Sequence, residues 1–264
     1  MADVFSELVR LRQGRQPCVL CTVVRTAGST PRKHAARMLV CSDGRIVGTV
    51  GGGRIEHEVV QAALALLQSR CAEPRILRYH LTHQLGMCCG GEMEVFVEPL
   101  LPEPILLLCG GGHICQALAP LAARVGFVPI VAEDLEELGR PERFPDAARI
   151  LDSFDVRDWN DVPLDSGTYV VIATRDHQLD LALLEQLLPR ELAYLGCIGS
   201  RRKAALFHKR LAHKGFSAEQ LARIRSPVGL DIGAETPEEI AVAIVAELIQ
   251  VRAARRAAPS SPAP

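Results

Sequence analysis

Two adjacent cysteines, Cys88 and Cys89, lie within a glycine-rich stretch at residues 86–91. Glycine lets a ligand or another backbone segment come close and permits positive φ, so this stretch predicts thiols in a tight turn. An accessible thiol there could do nucleophilic or redox chemistry if its pKa is low enough for the thiolate to form. The alternative is that the two cysteines only fill a core, because free cysteine is among the most buried residue types.

The sequence does not favour a metal site built from these thiols, since adjacent cysteines lack the usual C-x-x-C geometry. Cys18 and Cys21 do have that spacing, but they lie in an apolar run that predicts a strand. Side chains alternate between the faces of a strand, so these two thiols would point in opposite directions. The one further hint of a metal site is the pair His80 and His83, close to the glycine-flanked thiols.

Another glycine-rich stretch follows an apolar run in the second half of the chain. Gly110 and Gly112 match the first two glycines of the G-x-G-x-x-G/A fingerprint, whereas Cys115 stands where the third small residue belongs. Glu133 lies near the expected distance, about 20 residues, of an acid that binds ribose. Together these features predict a Rossmann-like fold, although such a turn also binds other phosphate-bearing ligands through helix N-terminal amides.

Polar clusters also lie at the ends of predicted strands, where an open α/β sheet forms its ligand crevice. The candidate binding residues there are His113, Thr174, His177, Ser200, Arg201, Arg202 and Asp231. Arg201, Arg202 and Lys203 at a helix start oppose the helix dipole, and a bound anion would offset that cost. The alternatives are a solvated first turn for these cations, a helix cap for His113 and a structural hydrogen bond for His177.

Two further groups of candidate binding residues lie in the N-terminal part: Ser29, Thr30 and Arg32, and Gly52, Gly53 and Glu56. The first group lies in a loop rich in glycine and hydroxyl side chains that lacks the spacing of a Walker A loop. The second group is a glycine turn that leads into a predicted helix, with a carboxylate in the first helical turn. The alternative for this turn is a tight connection between a strand and a helix.

These motifs, in this order, resemble the XdhC family of bacterial xanthine dehydrogenase accessory proteins. The residues that carry the resemblance are 28–32, 51–53 with Glu56, 86–91, 110–113, 199–203 and 226–237. The resemblance implies a chaperone that binds the molybdenum cofactor (molybdopterin form) and protects it while its terminal oxo ligand is replaced by sulfur. It further implies delivery to apo-xanthine dehydrogenase and a cysteine desulfurase as the sulfur donor.

The resemblance also distinguishes between the adjacent thiols. In the family's motif the thiol directly before Gly-Gly recurs, and this is Cys89, whereas Cys88 occupies a variable position. Cys89 is thereby implied to handle sulfur or the cofactor, with ligation of molybdenum as a further option. The chain departs from the family at the second Rossmann strand, where members often read Asp-Asp-Arg and this chain has Glu133, Asp134 and Leu135. That departure argues against ordinary NAD(P) binding.

The elements that must position these residues change in type at a proline-dense linker, residues 99–104. Before it, short helical and strand patterns predict a smaller α+β domain over residues 1–98. After it, strands predicted at 105–108, 128–132, 148–151, 169–173 and 193–198 alternate with helices predicted at 113–124, 179–187, 200–214 and 237–252. This alternation predicts an α/β domain, a Rossmann-like doubly wound parallel sheet, over residues 105–252. A tail predicted to be disordered follows over residues 253–264.

The composition excludes several functions. The chain has 30 Lys and Arg against 31 Asp and Glu, so it lacks the excess positive charge that binds nucleic acid or an anionic membrane. It has one Trp and three Tyr, too few for a surface that stacks on bases. No run reaches the ~18 apolar residues of a membrane span. Nine cysteines, mostly in apolar runs, and the lack of a signal-peptide pattern predict a cytoplasmic protein with reduced thiols.

Three functions are compatible with the sequence. The favoured one is a cofactor chaperone, an accessory protein rather than an enzyme, because anion-binding loops accompany Cys89. The second is an NAD(P)-dependent oxidoreductase, for which His113 and His177 are the candidate proton donors. The third is an assembly adaptor that binds no small ligand. The oligomeric state is left open, with a homodimer as one option.

Overall fold

The computed structural model describes residues 3–28, 35–68, 73–80 and 91–257. The chain divides into two compact units, the first made of residues 1–102 and 254–264 and the second of residues 103–253. Across the described ranges, every helix is too short or too polar to span a membrane.

The described residues of the first unit form a five-stranded antiparallel sheet with a helix packed on each face. Its elements are α1 (Val4–Gln13), β1 (Cys18–Ala27), β2 (Arg37–Cys41), β3 (Ile46–Gly48), α2 (Gly53–Gln68), β4 (Arg75–His80) and β5 (Glu92–Leu100). The strand order is β3-β2-β1-β5-β4. β2 and β3 form an antiparallel hairpin, and Gly48, the last residue of β3, has a φ of 82°.

Successive side chains along each strand point to opposite faces of the sheet, so this unit has a separate core on each face. Cys21 and the buried residues of β5 face α2, where they pack with Ile55 and Val59. Cys18 lies on the other face and packs with Leu11 of α1. The two thiols of the C-x-x-C sequence therefore point to opposite faces, as the strand periodicity predicts.

The second unit is a six-stranded parallel sheet. Its elements are β6 (Ile105–Cys109), α3 (His113–Arg124), β7 (Val128–Ala132), β8 (Arg149–Leu151), β9 (Thr168–Ile172), α4 (His177–Leu187), β10 (Tyr194–Cys197), α5 (Arg201–His213), α6 (Ala218–Ala222), β11 (Ile224–Arg225) and α7 (Pro237–Ala257), whose residues up to 253 belong to this unit. The strand order is β11-β10-β9-β6-β7-β8. The predicted Rossmann-like fold class is confirmed.

Both faces of the parallel sheet are buried, which explains the continuous apolar runs of its strands. Leu107 of β6 belongs to a core that includes residues of α4 and α5, whereas Leu106 belongs to a core that includes residues of α3 and α7. β6 pairs with β7 on one side and with β9 on the other. The chain order reverses at this point, so the crevice outside the carboxyl ends of β6 and β9 is the expected ligand position.

The backbones that follow β6 and β9 approach closely at this crevice. Gly110 has a φ of 127°, and a Cβ atom built on it would lie 2.2 Å from the carbonyl oxygen of Ala173. Glycine is therefore required at this position both for its conformation and for space.

Candidate functional site

The candidate site is the carboxyl edge of the parallel sheet, and α3 begins at its centre. Gly112 is the N-cap of α3 and offers the helix no side-chain hydrogen bond. His113 is exposed at the first helical position, so the structure does not use it as the cap. Within the described range 91–257, the N–H groups at the start of α3 are thus available to an anionic ligand.

Glu133 contacts the glycine turn from the end of β7. One carboxylate oxygen accepts the N–H of Gly111 at 2.6 Å, and the other accepts the N–H of Leu135 at 3.1 Å. Burial raises the pKa of the Glu133 carboxyl, and these N–H donors act against the rise. The acid expected to bind ribose is present at the expected strand end, but it bonds to its own protein.

Arg175, in the loop after β9, completes this arrangement. Its guanidinium lies 3.1 Å from Glu133 and makes two contacts with Asp134, at 2.5 and 3.0 Å. The hydrogen bonds from Arg175 lower the pKa of Asp134. Arg175 lies between the candidate residues Thr174 and His177, but the sequence gave no sign that its side chain pairs with acids about 40 residues earlier.

A second arginine that the sequence analysis missed lies beside the glycine turn. Arg143 donates to the carbonyl oxygen of Gly111 at 3.0 Å and to the side chain of Gln116 at 3.4 Å. Its Nε atom is buried and has no hydrogen-bond partner among the described residues. The glycine turn is therefore fixed by Glu133 on its N–H side and by Arg143 on its carbonyl side.

Thr174 and Lys203 meet at a buried carboxylate, Asp180 of α4. One Asp180 oxygen accepts the hydroxyl and the N–H of Thr174, at 2.7 and 3.1 Å, and the other accepts the Lys203 ammonium at 2.6 Å. The Asp180 side chain is 1% exposed and that of Lys203 is 25% exposed. Lys203 thus points inward as part of an ion pair instead of joining the two arginines before it.

The other polar residues at the start of α5 face solvent. Ser200 caps the helix by accepting the N–H of Lys203 at 3.3 Å. Arg201 and Arg202 are exposed, and the Arg201 guanidinium lies 3.5 Å from the Asp231 carboxylate. The structure therefore brings together Arg201 and Asp231, which are 30 residues apart in the sequence.

The loop that carries Asp231 is anchored to α7 through a buried carboxylate. Glu247 accepts the hydroxyl of Tyr194 at 2.5 Å and the N–H of Gly229 at 2.7 Å. Burial and the hydrogen bond to Glu247 raise the pKa of Tyr194 well above its ordinary value. Sequence reasoning missed both residues, because neither stands in a recognisable motif.

His177 is exposed at the start of α4. Its Nδ1 atom lies 3.4 Å from the carboxylate of Asp176, which caps the helix through the N–H of Gln178 at 2.6 Å. This contact is a local ion pair when His177 is protonated, and the side chain remains accessible to a ligand.

In the first unit, the turn that contains Gly52 and Gly53 is held by hydrogen bonds to the Glu56 carboxylate. The Glu56 carboxylate accepts the hydroxyl of Thr49 and the N–H of Gly52, the latter at 3.2 Å. Thr49 in turn accepts the N–H of Gly51 at 3.0 Å. The carboxylate is used to shape the turn, which agrees with the alternative of a tight connection between strand and helix.

Four predicted site residues, Ser29, Thr30, Arg32 and Cys89, lie outside the described residues, as do Cys88 and His83. Among the residues that are described, no group of three His, Cys, Asp or Glu side chains could hold a metal ion. The described cysteines of the second unit are buried, and burial raises the pKa of Cys115 and of Cys197 to about 12. These thiols are therefore unsuited to chemistry at neutral pH.

Comparison with known families identifies both parts of the chain. The model of the XdhC Rossmann domain matches residues 106–248, which is more than half of the chain. The chain belongs to the XdhC family. The model of the XdhC and CoxI family matches residues 11–80. The resemblance inferred from the ordered motifs is confirmed.

Individual relatives extend over nearly the whole chain. The Escherichia coli K12 protein YqeB is 39% identical over 263 residues, 95% of this chain and 46% of YqeB, so the chain spans less than half of that relative. The molybdenum cofactor insertion chaperone PaoD of Escherichia coli K12 is 25% identical, over 89% of this chain and 83% of PaoD. A crystal structure described as a xanthine dehydrogenase from Bacillus halodurans is 26% identical, with a TM-score of 0.54 and 97% coverage of both chains.

Proposed function

We propose that this XdhC-family protein binds the molybdenum cofactor in its molybdopterin form, protects it during sulfuration and inserts it into apo-xanthine dehydrogenase. The observation that carries the proposal is the N-terminus of α3, whose cap Gly112 provides no side-chain hydrogen bond, at the crevice between β6 and β9. Similarity to a protein named as a molybdenum cofactor insertion chaperone supports the same conclusion.

The residues at this edge suit the phosphate group of molybdopterin. Phosphate is bound by helix N-terminal N–H groups and by guanidinium forks. α3 offers the former at Gly112 and His113, and Arg201 and Arg202 offer exposed cations at the start of α5. β10 lies two strands from β6, which is about 10 Å, so a long arginine side chain can reach toward the turn.

The remaining residues divide into ligand contacts and supports. We assign Thr174, His177, Ser200 and Asp231 to the polar rim that orients the ligand. Glu133 supports the glycine turn, because both of its oxygens already accept N–H groups. We retain Ser29, Thr30, Arg32, Gly52, Gly53 and Glu56 as candidate contacts of the first unit.

Cys89 is the residue that we assign to sulfur or cofactor handling, with a cysteine desulfurase as the sulfur donor. The support is its place directly before Gly-Gly in the family's motif. Cys88 is the matched control, because it is the neighbouring thiol at a variable position. Cys89→Ala should reduce retention or sulfuration of the cofactor, whereas Cys88→Ala should leave both unchanged. Equal effects of the two substitutions would remove Cys89 from this role.

The decisive experiment uses the full chain purified from a molybdenum-replete host. Elemental analysis should find molybdenum, pterin fluorescence should find the organic part of the cofactor, and the protein should restore activity to apo-xanthine dehydrogenase. Absence of both molybdenum and pterin, together with no restored activity, would refute the proposal. Binding to the apo-enzyme without any cofactor would favour the adaptor function instead.

Substitutions in the second unit test the phosphate site. Arg201→Ala combined with Arg202→Ala should lower the amount of retained cofactor at least about tenfold, because two guanidinium contacts are lost. Arg210→Ala is the control, since Arg210 lies in the last turn of the same helix. A loss with the control equal to that of the double variant would show that general charge, rather than this site, is responsible.

A further inference from the structure

We propose that Arg175 is a specificity-determining residue that closes the ribose-recognition position of the Rossmann unit. The inference goes beyond the proposed chaperone function, because it concerns the nucleotides that this unit excludes. It stands whether or not the protein carries a molybdenum cofactor.

The carboxylate that would accept ribose hydroxyls already has hydrogen-bond donors within the protein. In dinucleotide-binding Rossmann domains, the acid at the end of the second strand accepts hydrogen bonds from ribose hydroxyls. Here that acid is Glu133, and its oxygens accept the N–H groups of Gly111 and Leu135 as well as Arg175. The side chain is only 1% exposed. A ribose hydroxyl would have to displace a charged partner to reach it.

The Arg175 side chain reaches from the end of β9 to residues that follow β7. Arg175 follows β9, whereas Glu133 and Asp134 follow β7, and β6 lies between these two strands. The guanidinium therefore crosses the carboxyl end of β6, beside the glycine turn. In a dinucleotide complex the pyrophosphate lies at the glycine turn and the ribose lies beside the acid that ends the second strand. The Arg175 guanidinium, 3.1 Å from Glu133, therefore takes up space that the ribose would need.

Contacts with Asp134 and Phe154 hold the Arg175 guanidinium in place. Asp134 holds Arg175 through two contacts, at 2.5 and 3.0 Å, and such paired contacts between guanidinium and carboxylate are among the stronger hydrogen bonds of proteins. The guanidinium also lies over the ring of Phe154, 5.9 Å from its centroid. Both contacts hold Arg175 across the crevice, so the wild-type unit excludes ribose while the N–H groups of α3 remain open to a phosphate monoester.

The test is a fluorescence titration of the full chain with NADH and, separately, with NADPH. The wild-type protein should show no saturable binding of either nucleotide up to about 1 mM, which corresponds to a binding free energy weaker than about −4 kcal/mol. Arg175→Ala should uncover Glu133 and raise the affinity for NADH at least about tenfold. Arg175→Ala combined with Glu133→Gln should lose that gain, because the ribose acceptor is weakened.

Arg157→Ala is the matched control, since Arg157 donates to both carboxylate oxygens of Asp155 on the exposed surface of the same unit. It should leave nucleotide binding unchanged. If Arg175→Ala does not fold, Asp134→Asn decides the question, because it releases one anchor of Arg175 and should also raise the affinity for NADH.

Three results would overturn the inference. One is saturable binding of NADH to the wild-type protein. Another is binding of NADPH to the wild-type protein, which would make Arg175 a partner of the 2′-phosphate. The third is a folded Arg175→Ala or Asp134→Asn variant with no gain in affinity for NADH. None of these results depends on molybdenum content, so they are distinguishable from failure of the chaperone proposal.

Discussion

The ammonium group of Lys203 lies 2.6 Å from a carboxylate oxygen of Asp180, and this partly buried pair joins α5 to α4 beside the candidate site. Asp180 also holds the loop after β9 through Thr174. One carboxylate therefore links three segments that carry proposed ligand contacts.

Asp180→Ala should reduce the free energy of unfolding of the second unit by about 2–4 kcal/mol, because it leaves a partly buried cation and a partly buried N–H group without their acceptor. Glu185→Ala is the control. Glu185 pairs with Lys214 and so also connects α4 with the end of α5, but on the exposed surface. Its loss should cost less than about 1 kcal/mol. Urea denaturation, monitored by the fluorescence of Trp159, the single tryptophan of the chain, measures the free energy of unfolding of both variants. Equal losses of stability in Asp180→Ala and Glu185→Ala would contradict the prediction.

Two glycines of the turn before α3 should respond differently to alanine. Gly110→Ala should destabilise the second unit by about 3 kcal/mol or more, because its φ is positive and the new Cβ would clash with the backbone at Ala173. Gly112→Ala should cost within about 1 kcal/mol, because a Cβ there meets no atom within 4 Å. The same methyl group would stand where a phosphate approaches α3, so cofactor retention should fall although the fold persists. Denaturation and pterin fluorescence test the two effects separately.

The first unit should lose stability in acid through Glu7. Hydrogen bonds from Arg10 and Arg45 lower the pKa of Glu7 from 4.5 to about 2. Because the folded-state pKa is the lower one, the stabilisation is complete above pH about 4.5 and is lost as the pH falls toward 2. The protection of the α1 amides against hydrogen exchange, relative to their intrinsic exchange rate at the same pH, should therefore fall over this range. In Glu7→Gln this protection should already be lower at neutral pH and should change little below pH 4.5; an unchanged acid response would rule out Glu7 as its source.

Thiol labelling should separate the cysteines of the chain. Burial raises the pKa of Cys18 to about 11 and that of Cys21 to about 12, and the thiols of the second unit are likewise buried. Iodoacetamide at pH 7.5 should leave these residues unmodified in the native protein and modify them all in urea. Cys89 should react first if it lies in an accessible turn as the flanking glycines predict. Peptide mapping by mass spectrometry gives the order, and early modification of Cys109 or Cys115 would contradict the burial of these thiols.

The sequence was sufficient to predict the architecture of the second unit. Its strands are buried on both faces, so they read as apolar runs, and the glycine turn lies where steric contact with the β9 loop demands it. The short β11 and α6 were not predicted, because a strand of two residues and a helix of five carry too little periodicity.

The roles of individual charged residues were harder to predict, because their partners are distant in the sequence. Lys203 was grouped with Arg201 and Arg202, but it turns inward to Asp180, 23 residues away. Arg175 bonds to Asp134, 41 residues away. Motif spacing reports the backbone of a turn or a helix start. It does not report which carboxylate a long cationic side chain reaches.

Across the part of the chain that the structure describes, both sheets end in strands that discourage the addition of another strand. The parallel sheet ends in β8 and β11, of three and two residues, and the antiparallel sheet ends in β3, of three residues, and β4. β4 carries Arg78 and His80, which pair with Glu94 and Glu92 of β5. Short or charged edges limit intermolecular pairing, so these sheets should resist edge-to-edge aggregation at high protein concentration.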